Sequence, residues 1–167
     1  MAYTRDEIAD WFRGLQDAIC NEVSNADGGA SFTSESWSRP GGGGGDTRVI
    51  QNGKIISKGG VNFSAVHGEL PDTIKSVLNV DSNSFFATGV SIVMHPDNPF
   101  VPIIHMNVRY FEMNDDVWWF GGGIDLTPHY VDEEQTKWFH AQLKKACDAN
   151  DMAYHPRFAK WANEYFY

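Results

Sequence analysis

Cysteine is scarce in this sequence. Cys20 and Cys147 stand far apart in a chain of 167 residues. They lack the close pairing of a zinc knuckle, and two cysteines cannot build a disulfide scaffold. The usage suits a reducing compartment. Long apolar runs are missing too, and nothing approaches the ~18 residues of a membrane span. Positive charge is in deficit, with 13 Lys and Arg against 22 Asp and Glu for a formal net charge of −9. That balance excludes a nucleic-acid binder working through a broad basic face. The opening stretch MAYTRDEIADWF has no signal-peptide apolar core, and its early acids separate it from an Arg-rich transit peptide. What is present is 42% hydrophobic and 14% aromatic residues, the composition of a folded domain rather than a disordered tail. The length suits one domain.

Thr4-Arg5-Asp6-Glu7 reads as a capping box at a helix start. Ile8, Trp11, Phe12, Leu15, Ile19 and Val23 follow at helical spacing and predict one buried stripe, ended by Asp27-Gly28-Gly29. The glycine run Gly41 to Gly45 fits neither a dinucleotide fingerprint nor a P-loop and reads as an ordered loop. Asn52-Gly53 between Thr47–Gln51 and Lys54–Lys58 predicts a tight hairpin with both turn residues at positive φ. Val61–His67 reads as a further strand and Glu69–Val80 as a short helix. Strands follow over Phe85–His95, Pro102–Met113 and Val117–Phe120, the last running into Gly121-Gly122-Gly123. Short connections imply antiparallel pairing. Asp132–Asn150 and Pro156–Phe166 read as helices, the second with Phe158, Trp161, Ala162 and Tyr165 on one face. The order of helix, strands and helices predicts an α+β fold with a mostly antiparallel sheet.

Alternation along Pro102–Met113 separates two faces. Ile104, Met106, Val108 and Tyr110 read as core, and His105, Asn107 and Arg109 share the opposite face. One imidazole, one amide and one guanidinium in a row suit gripping an anion while moving a proton. On the preceding strand Gly89, Ser91, Val93 and His95 share a face, so matching registers bring Ser91 and His95 beside that row. Gly89 is expected to leave room for a ligand near the backbone. His140, with Leu143 and Cys147 at i+3 and i+7, is expected to point toward the core side, as a buried histidine or a third imidazole of the site. Three mechanisms fit the spacing. His95, His105 and His140 suit a divalent first-row metal. His105 as proton carrier with Arg109 as carboxylate clamp suits metal-free acid/base chemistry. Ser91 as a hydrolase nucleophile is the weaker option, because no nucleophile elbow surrounds it.

Gly89-Val90-Ser91-Ile92-Val93-Met94-His95-Pro96 and His105-Met106-Asn107-Val108-Arg109-Tyr110-Phe111 resemble the signature of the oxygen-dependent coproporphyrinogen III oxidase family. So do Trp118-Trp119-Phe120-Gly121-Gly122-Gly123-Ile124-Asp125-Leu126-Thr127-Pro128 and Tyr154-His155-Pro156-Arg157-Phe158. The resemblance runs from about Leu15 to Tyr167. It implies a large antiparallel sheet flanked by helices on both faces. It implies oxidative decarboxylation of two propionates of coproporphyrinogen III to vinyl groups, giving protoporphyrinogen IX in haem synthesis. Molecular oxygen is the co-substrate and no cofactor is required. His105 becomes the proton donor, and Ser91, Asn107, Val108 and Arg109 bind substrate. His95, His105 and His140 match positions for a divalent metal. A metal-bound imidazole nitrogen cannot also carry the proton, which favours the metal-free role. Val49, Ile50, Gln51, Asn52, Gly53, Lys54, Ile55, Ile56, Ser57 and Lys58 match a stretch of the homodimer interface. The implied location is the cytoplasm, or the mitochondrial intermembrane space after loss of a presequence.

The family pattern continues beyond Tyr167 with a His-Arg pair and an Arg-Gly-Ile-Gly-Gly segment. The expectation is therefore a single domain over 1–167, incomplete at its C-terminal end. Two other functions stay open: a non-catalytic relative that binds porphyrins or dimerises, and a His-ligated metal-dependent oxygenase.

Overall fold

In a computed structural model of the protein, residues 3–70, 72–73, 75, 83–114 and 117–166 are described. The chain forms two compact units, Met1–His129 and Tyr130–Tyr167.

The first unit opens with helix α1, Arg5–Asp27. The capping box forms: the Thr4 amide donates to Glu7 Oε2 at 2.8 Å, and the Glu7 amide donates to Thr4 Oγ1 at 3.3 Å. Gly28, at φ 63°, closes the helix by donating its N–H to the Ser24 carbonyl at 2.9 Å. A side chain there would resist this left-handed conformation. The buried line on α1 is Ile8, Phe12, Gln16 and Cys20, with Leu15, Ile19 and Val23 half-buried beside it. Trp11 departs from the expected stripe. It is 63% exposed, and its ring meets Phe12 edge-on at 5.2 Å. The stripe is centred one position further round the helix, where Gln16 replaces an apolar residue at its middle.

Six strands follow: β1 Thr33–Ser38, β2 Gly43–Gln51, β3 Ile56–Glu69, β4 Ser84–Pro96, β5 Ile103–Asn114 and β6 Val117–Thr127. They form one sheet in chain order, each antiparallel to the next. Short connections join β1 to β2, β2 to β3, β4 to β5 and β5 to β6, which favours antiparallel neighbours, whereas β3 and β4 pair across the longer stretch 70–83. With the helices, this is the expected α+β class.

Three expectations are corrected. The glycine run is not simply a loop, because Gly43, Gly44 and Gly45 belong to β2. A Cβ on Gly45 would stand 2.2 Å from the Phe63 carbonyl oxygen and 2.6 Å from the Trp37 ring, so its absence lets the indole lie across the strand. The Asn-Gly hairpin is wider than expected. Asn52 alone takes a positive φ, at 55°, and β3 begins only at Ile56. Gly121 to Gly123 continue β6 rather than ending it. Glu69 closes β3, whereas most of the helix expected over Glu69–Val80 lies outside the described residues.

The wider hairpin is held by Asp27. Its carboxylate accepts from the amides of Gly29, Ala30, Lys54, Ile55 and Ile56 at 2.8–3.2 Å. The Ile56 and Ile55 amides lead in holding the carboxyl well below its usual range. One helix terminus thus fixes the entry into β3.

Alternation then decides the core. Ile50, Val61, Phe63, Val90 and Tyr110 turn to the face covered by α1 and are at most 2% exposed. Most polar groups on this face are paired, the exception being Gln16 Oε1, which is buried without a hydrogen-bond partner among the described residues. Gln16 Nε2 donates to the carbonyls of Asp46 and Val61, both at 2.9 Å. Glu112 accepts from Tyr110 OH at 2.6 Å and from the Arg5 guanidinium. Burial pushes the Glu112 carboxyl up, but Arg5 and Tyr110 outweigh it and leave it below the usual value.

The second unit holds α2, Glu133–Asp148, and α3, Tyr154–Phe166. Asp132 caps α2 by accepting from the Glu134 and Gln135 amides. Neither helix buries a residue. No described helix is long and apolar enough to cross a membrane.

Candidate active site

The sheet face opposite α1 is built in rungs, because paired strands place partner residues side by side. Ser91 pairs with Asn107, and Asn107 pairs with Gly123. Asn62 of β3 extends this rung beyond Ser91. The next rung holds Ser64, Gly89, Arg109 and Gly121. On the other side lie Gly60, Val93, His105 and Asp125. The expected row of His105, Asn107 and Arg109 therefore stands on one face with Ser91 beside it.

Side-chain contacts refine this arrangement. Arg109 donates from Nη2 and Nε to Asn107 Oδ1, at 2.9 and 3.2 Å. Among the described residues no carboxylate lies within ion-pair distance of Arg109. The fork is aimed by an amide and available to an anion. His105 Nδ1 stands 3.5 Å from Asp125 Oδ2, with the imidazole 47% exposed. No hydrogen bond joins the two, so Asp125 places a carboxylate beside the ring without fixing which nitrogen carries a proton. The His95 and His105 rings lie 6.5 Å apart at 84°.

Several expected roles change in detail. Val108 turns to the core face and packs against the buried cluster, so its side chain does not join the row. Gly89 is buried, and a Cβ there would meet Val108 O at 2.3 Å and Arg109 Cα at 2.8 Å. The space a side chain would need is taken by the neighbouring strand and not left for a ligand. Room exists instead over Gly123, where a Cβ would meet nothing within 4 Å. His140 is exposed on α2, not turned inward, and its ring touches Phe139 edge-on at 5.7 Å. It belongs to the second unit. Among the described residues no group of three His, Cys, Asp or Glu side chains gathers as metal donors. His95 and His105 are neighbours within the first unit, two of the three imidazoles that the metal reading needs. Ser91 sits mid-strand and makes no hydrogen bond to His105 among the described residues, which gives it no activated-nucleophile geometry.

Of the interface stretch, Val49–Gln51 ends β2, Asn52–Ile55 forms the Asp27-held loop and Ile56–Lys58 opens β3. Ile50 is fully buried in this chain's own core.

Asp125 and an aromatic ladder are features of this face that the sequence patterns above do not single out. Phe85 and Phe111 stack at 5.8 Å and 3°, and Phe111 and Trp119 at 4.8 Å and 26°. Period-two counting from Gly121 through β6 could have found both Asp125 and Trp119.

The sequence model of the family described as coproporphyrinogen III oxidase matches residues 7–167. The chain belongs to this family. It is 49% identical over 170 residues to the oxygen-dependent coproporphyrinogen-III oxidase of Prochlorococcus marinus strain MIT 9313, covering 99% of this chain and 48% of that one. It is 46% identical over 178 residues to the chloroplastic oxygen-dependent coproporphyrinogen-III oxidase of Glycine max, covering 98% of this chain and 46% of that one. The Arabidopsis thaliana coproporphyrinogen-III oxidase 1, chloroplastic, matches at 46% identity with the same coverage. The chain thus spans about half the length of the curated relatives it matches. Of the segments that carry the resemblance, those over Gly89–Pro96, His105–Phe111 and Trp118–Pro128 fall on or next to β4, β5 and β6, and Tyr154–Phe158 opens α3.

Proposed function

We propose that this chain supplies the carboxylate-gripping sheet of an oxygen-dependent coproporphyrinogen III oxidase. The observation that carries the reading is Arg109, aimed by Asn107 on an open face beside Ser91 and His105. Membership of the family names the substrate class: a tetrapyrrole bearing four propionates.

Each turnover converts one propionate and one oxygen molecule, with one proton, to a vinyl group, carbon dioxide and hydrogen peroxide. The methylene next to the pyrrole gives up hydrogen with its electron pair to oxygen. The carbon–carboxylate bond then breaks, and its electron pair becomes the new double bond. Arg109 holds the carboxylate, with Ser91 and Asn107 as further polar contacts, which fixes the methylene relative to oxygen. His105, with the Asp125 carboxylate beside it, delivers the proton that completes hydrogen peroxide. No resident metal or organic cofactor enters this scheme, because the porphyrinogen itself is the electron donor. Val108 contributes through its backbone only.

The reading extends to a homodimer joined through the exposed part of Val49–Lys58, namely Gln51, Asn52, Lys54, Ile55, Ser57 and Lys58. It also extends to a cytoplasmic location.

The test is a chimera of this chain with the remaining half of the Prochlorococcus relative, incubated aerobically with coproporphyrinogen III. Protoporphyrinogen IX and carbon dioxide are expected. An inactive, folded chimera beside an active parent relative overturns the reading. Saturable porphyrin binding without turnover replaces the enzyme by a binding module. Activity abolished by chelation and restored by a divalent ion replaces the metal-free scheme.

A further inference from the structure

The open face carries a second guanidinium without a carboxylate partner among the described residues. Arg39 follows β1 at the turn into β2, where the Arg39 amide donates to Gly43 O at 2.9 Å and Gly42 N donates to Arg39 O at 3.0 Å. Its Nη1 donates to the His67 carbonyl at 2.8 Å, and its guanidinium carbon stands 5.7 Å from the Phe85 ring centre. A Cβ at Gly41 would stand 3.2 Å from the guanidinium, so the fork lies close over that turn. These contacts fix the plane of the guanidinium while using one of its five N–H groups.

The other arginines of the first unit are committed to the opposite face. Arg5 pairs with Glu112, Arg48 pairs with Asp17 and Asp46, and Arg13 lies over Phe63 at 4.3 Å. In a chain of net charge −9, Arg39 and Arg109 are the two guanidiniums this unit leaves to its open face. The stacked rings of Phe85 and Phe111 stand between them. Arg109 pairs with Gly89, and Phe85 lies four residues along β4, a separation of ~13 Å at the usual strand rise.

We propose that Arg39 is a second carboxylate-binding residue of the open face, taking a non-reacting carboxylate of a polycarboxylated macrocycle whose reacting carboxylate sits on Arg109. The proposal rests on the function proposed above and adds an orientation to it. The ring body lies over the aromatic ladder, and the two carboxylates come from different edges of the macrocycle. Carboxylates on a single edge do not reach both groups. Such two-point binding presents one propionate at a time to His105.

The probe is coproporphyrin III, the air-stable tetracarboxylate, set against deuteroporphyrin IX, whose two propionates share one edge. Binding to the intact chain is followed by porphyrin fluorescence at low ionic strength. Arg39→Gln is expected to weaken coproporphyrin III about tenfold, the loss of one charged hydrogen-bonding contact, and to leave deuteroporphyrin IX within twofold. Arg39→Lys retains the charge without the fork and is expected to fall between. It also serves if the Gln variant does not fold. Arg109→Gln is expected to weaken both porphyrins. Tight coproporphyrin III binding that neither Arg39 variant changes, or equal weakening of both porphyrins, overturns the Arg39 proposal and leaves the Arg109 site standing. Failure of the wild-type chain to bind coproporphyrin III overturns both.

Discussion

The two faces of one sheet differ in how their polar groups are held. Against α1, the Gln16 amide nitrogen, Glu112 and Tyr110 are buried and held by fixed partners, and only Gln16 Oε1 is left without one among the described residues. On the open face the contacts are looser and more exposed, with His105 at 3.5 Å from Asp125 and Arg109 bonded to an amide instead of a carboxylate. The same backbone serves both, since neighbouring residues on β5 point to opposite sides. One face commits most of its polar groups to the fold, and the other leaves His105 and Arg109 exposed.

That contrast can be broken by substitution. The largest effect belongs to the closed face. Phe63→Ala should cost about 3–5 kcal/mol of stability by leaving a cavity. Chemical denaturation measures it, and a loss below about 1 kcal/mol would refute the close packing of α1 on β3. In the chimera, His105→Gln should lower kcat about a hundredfold with KM little changed and no loss of Tm, the usual scale for removing a proton carrier. A falling Tm would make His105 a structural residue. Arg109→Lys keeps the charge but loses the fork. It should raise KM by roughly tenfold, again at constant Tm.

The smallest effect concerns the Asp27 clamp. Its folded-state pKa is depressed, so its contribution is present at neutral pH and is lost as pH falls below the ordinary carboxylate range. Asp27→Asn should therefore lower Tm near pH 7 and flatten the acid limb of the stability profile. Parallel wild-type and variant profiles would contradict the clamp.

Much of this was legible from period-two and period-3.6 patterns. The alternation over Pro102–Met113 separated His105, Asn107 and Arg109 from Ile104, Met106 and Tyr110, because a strand leaves no other choice. The capping box and Gly28 likewise fixed both ends of α1. Other features depend on partners remote in sequence. Gly43–Gly45 became strand because they run between β1 and β3, where Ala65, Trp37 and Phe63 in turn leave no room for a side chain. Trp11 was misplaced because a helical stripe is wide, and the sheet receives only the Ile8–Cys20 side of it. Asp125 joined the site through the register of β5 on β6, which three consecutive glycines conceal. The Asn52 hairpin widened because Asp27, far back in the chain, captures its amides.

The central claim is that the face away from α1 receives the tetrapyrrole. Arginine side chains report on it directly, since Arg109 stands on that face and Arg13 and Arg48 belong to the other. Titrating the chain with coproporphyrin III while following the Nε–H signals by NMR should move Arg109 in a saturable manner and leave Arg13 and Arg48 in place. Movement of Arg13 or Arg48 with a stationary Arg109 would contradict it.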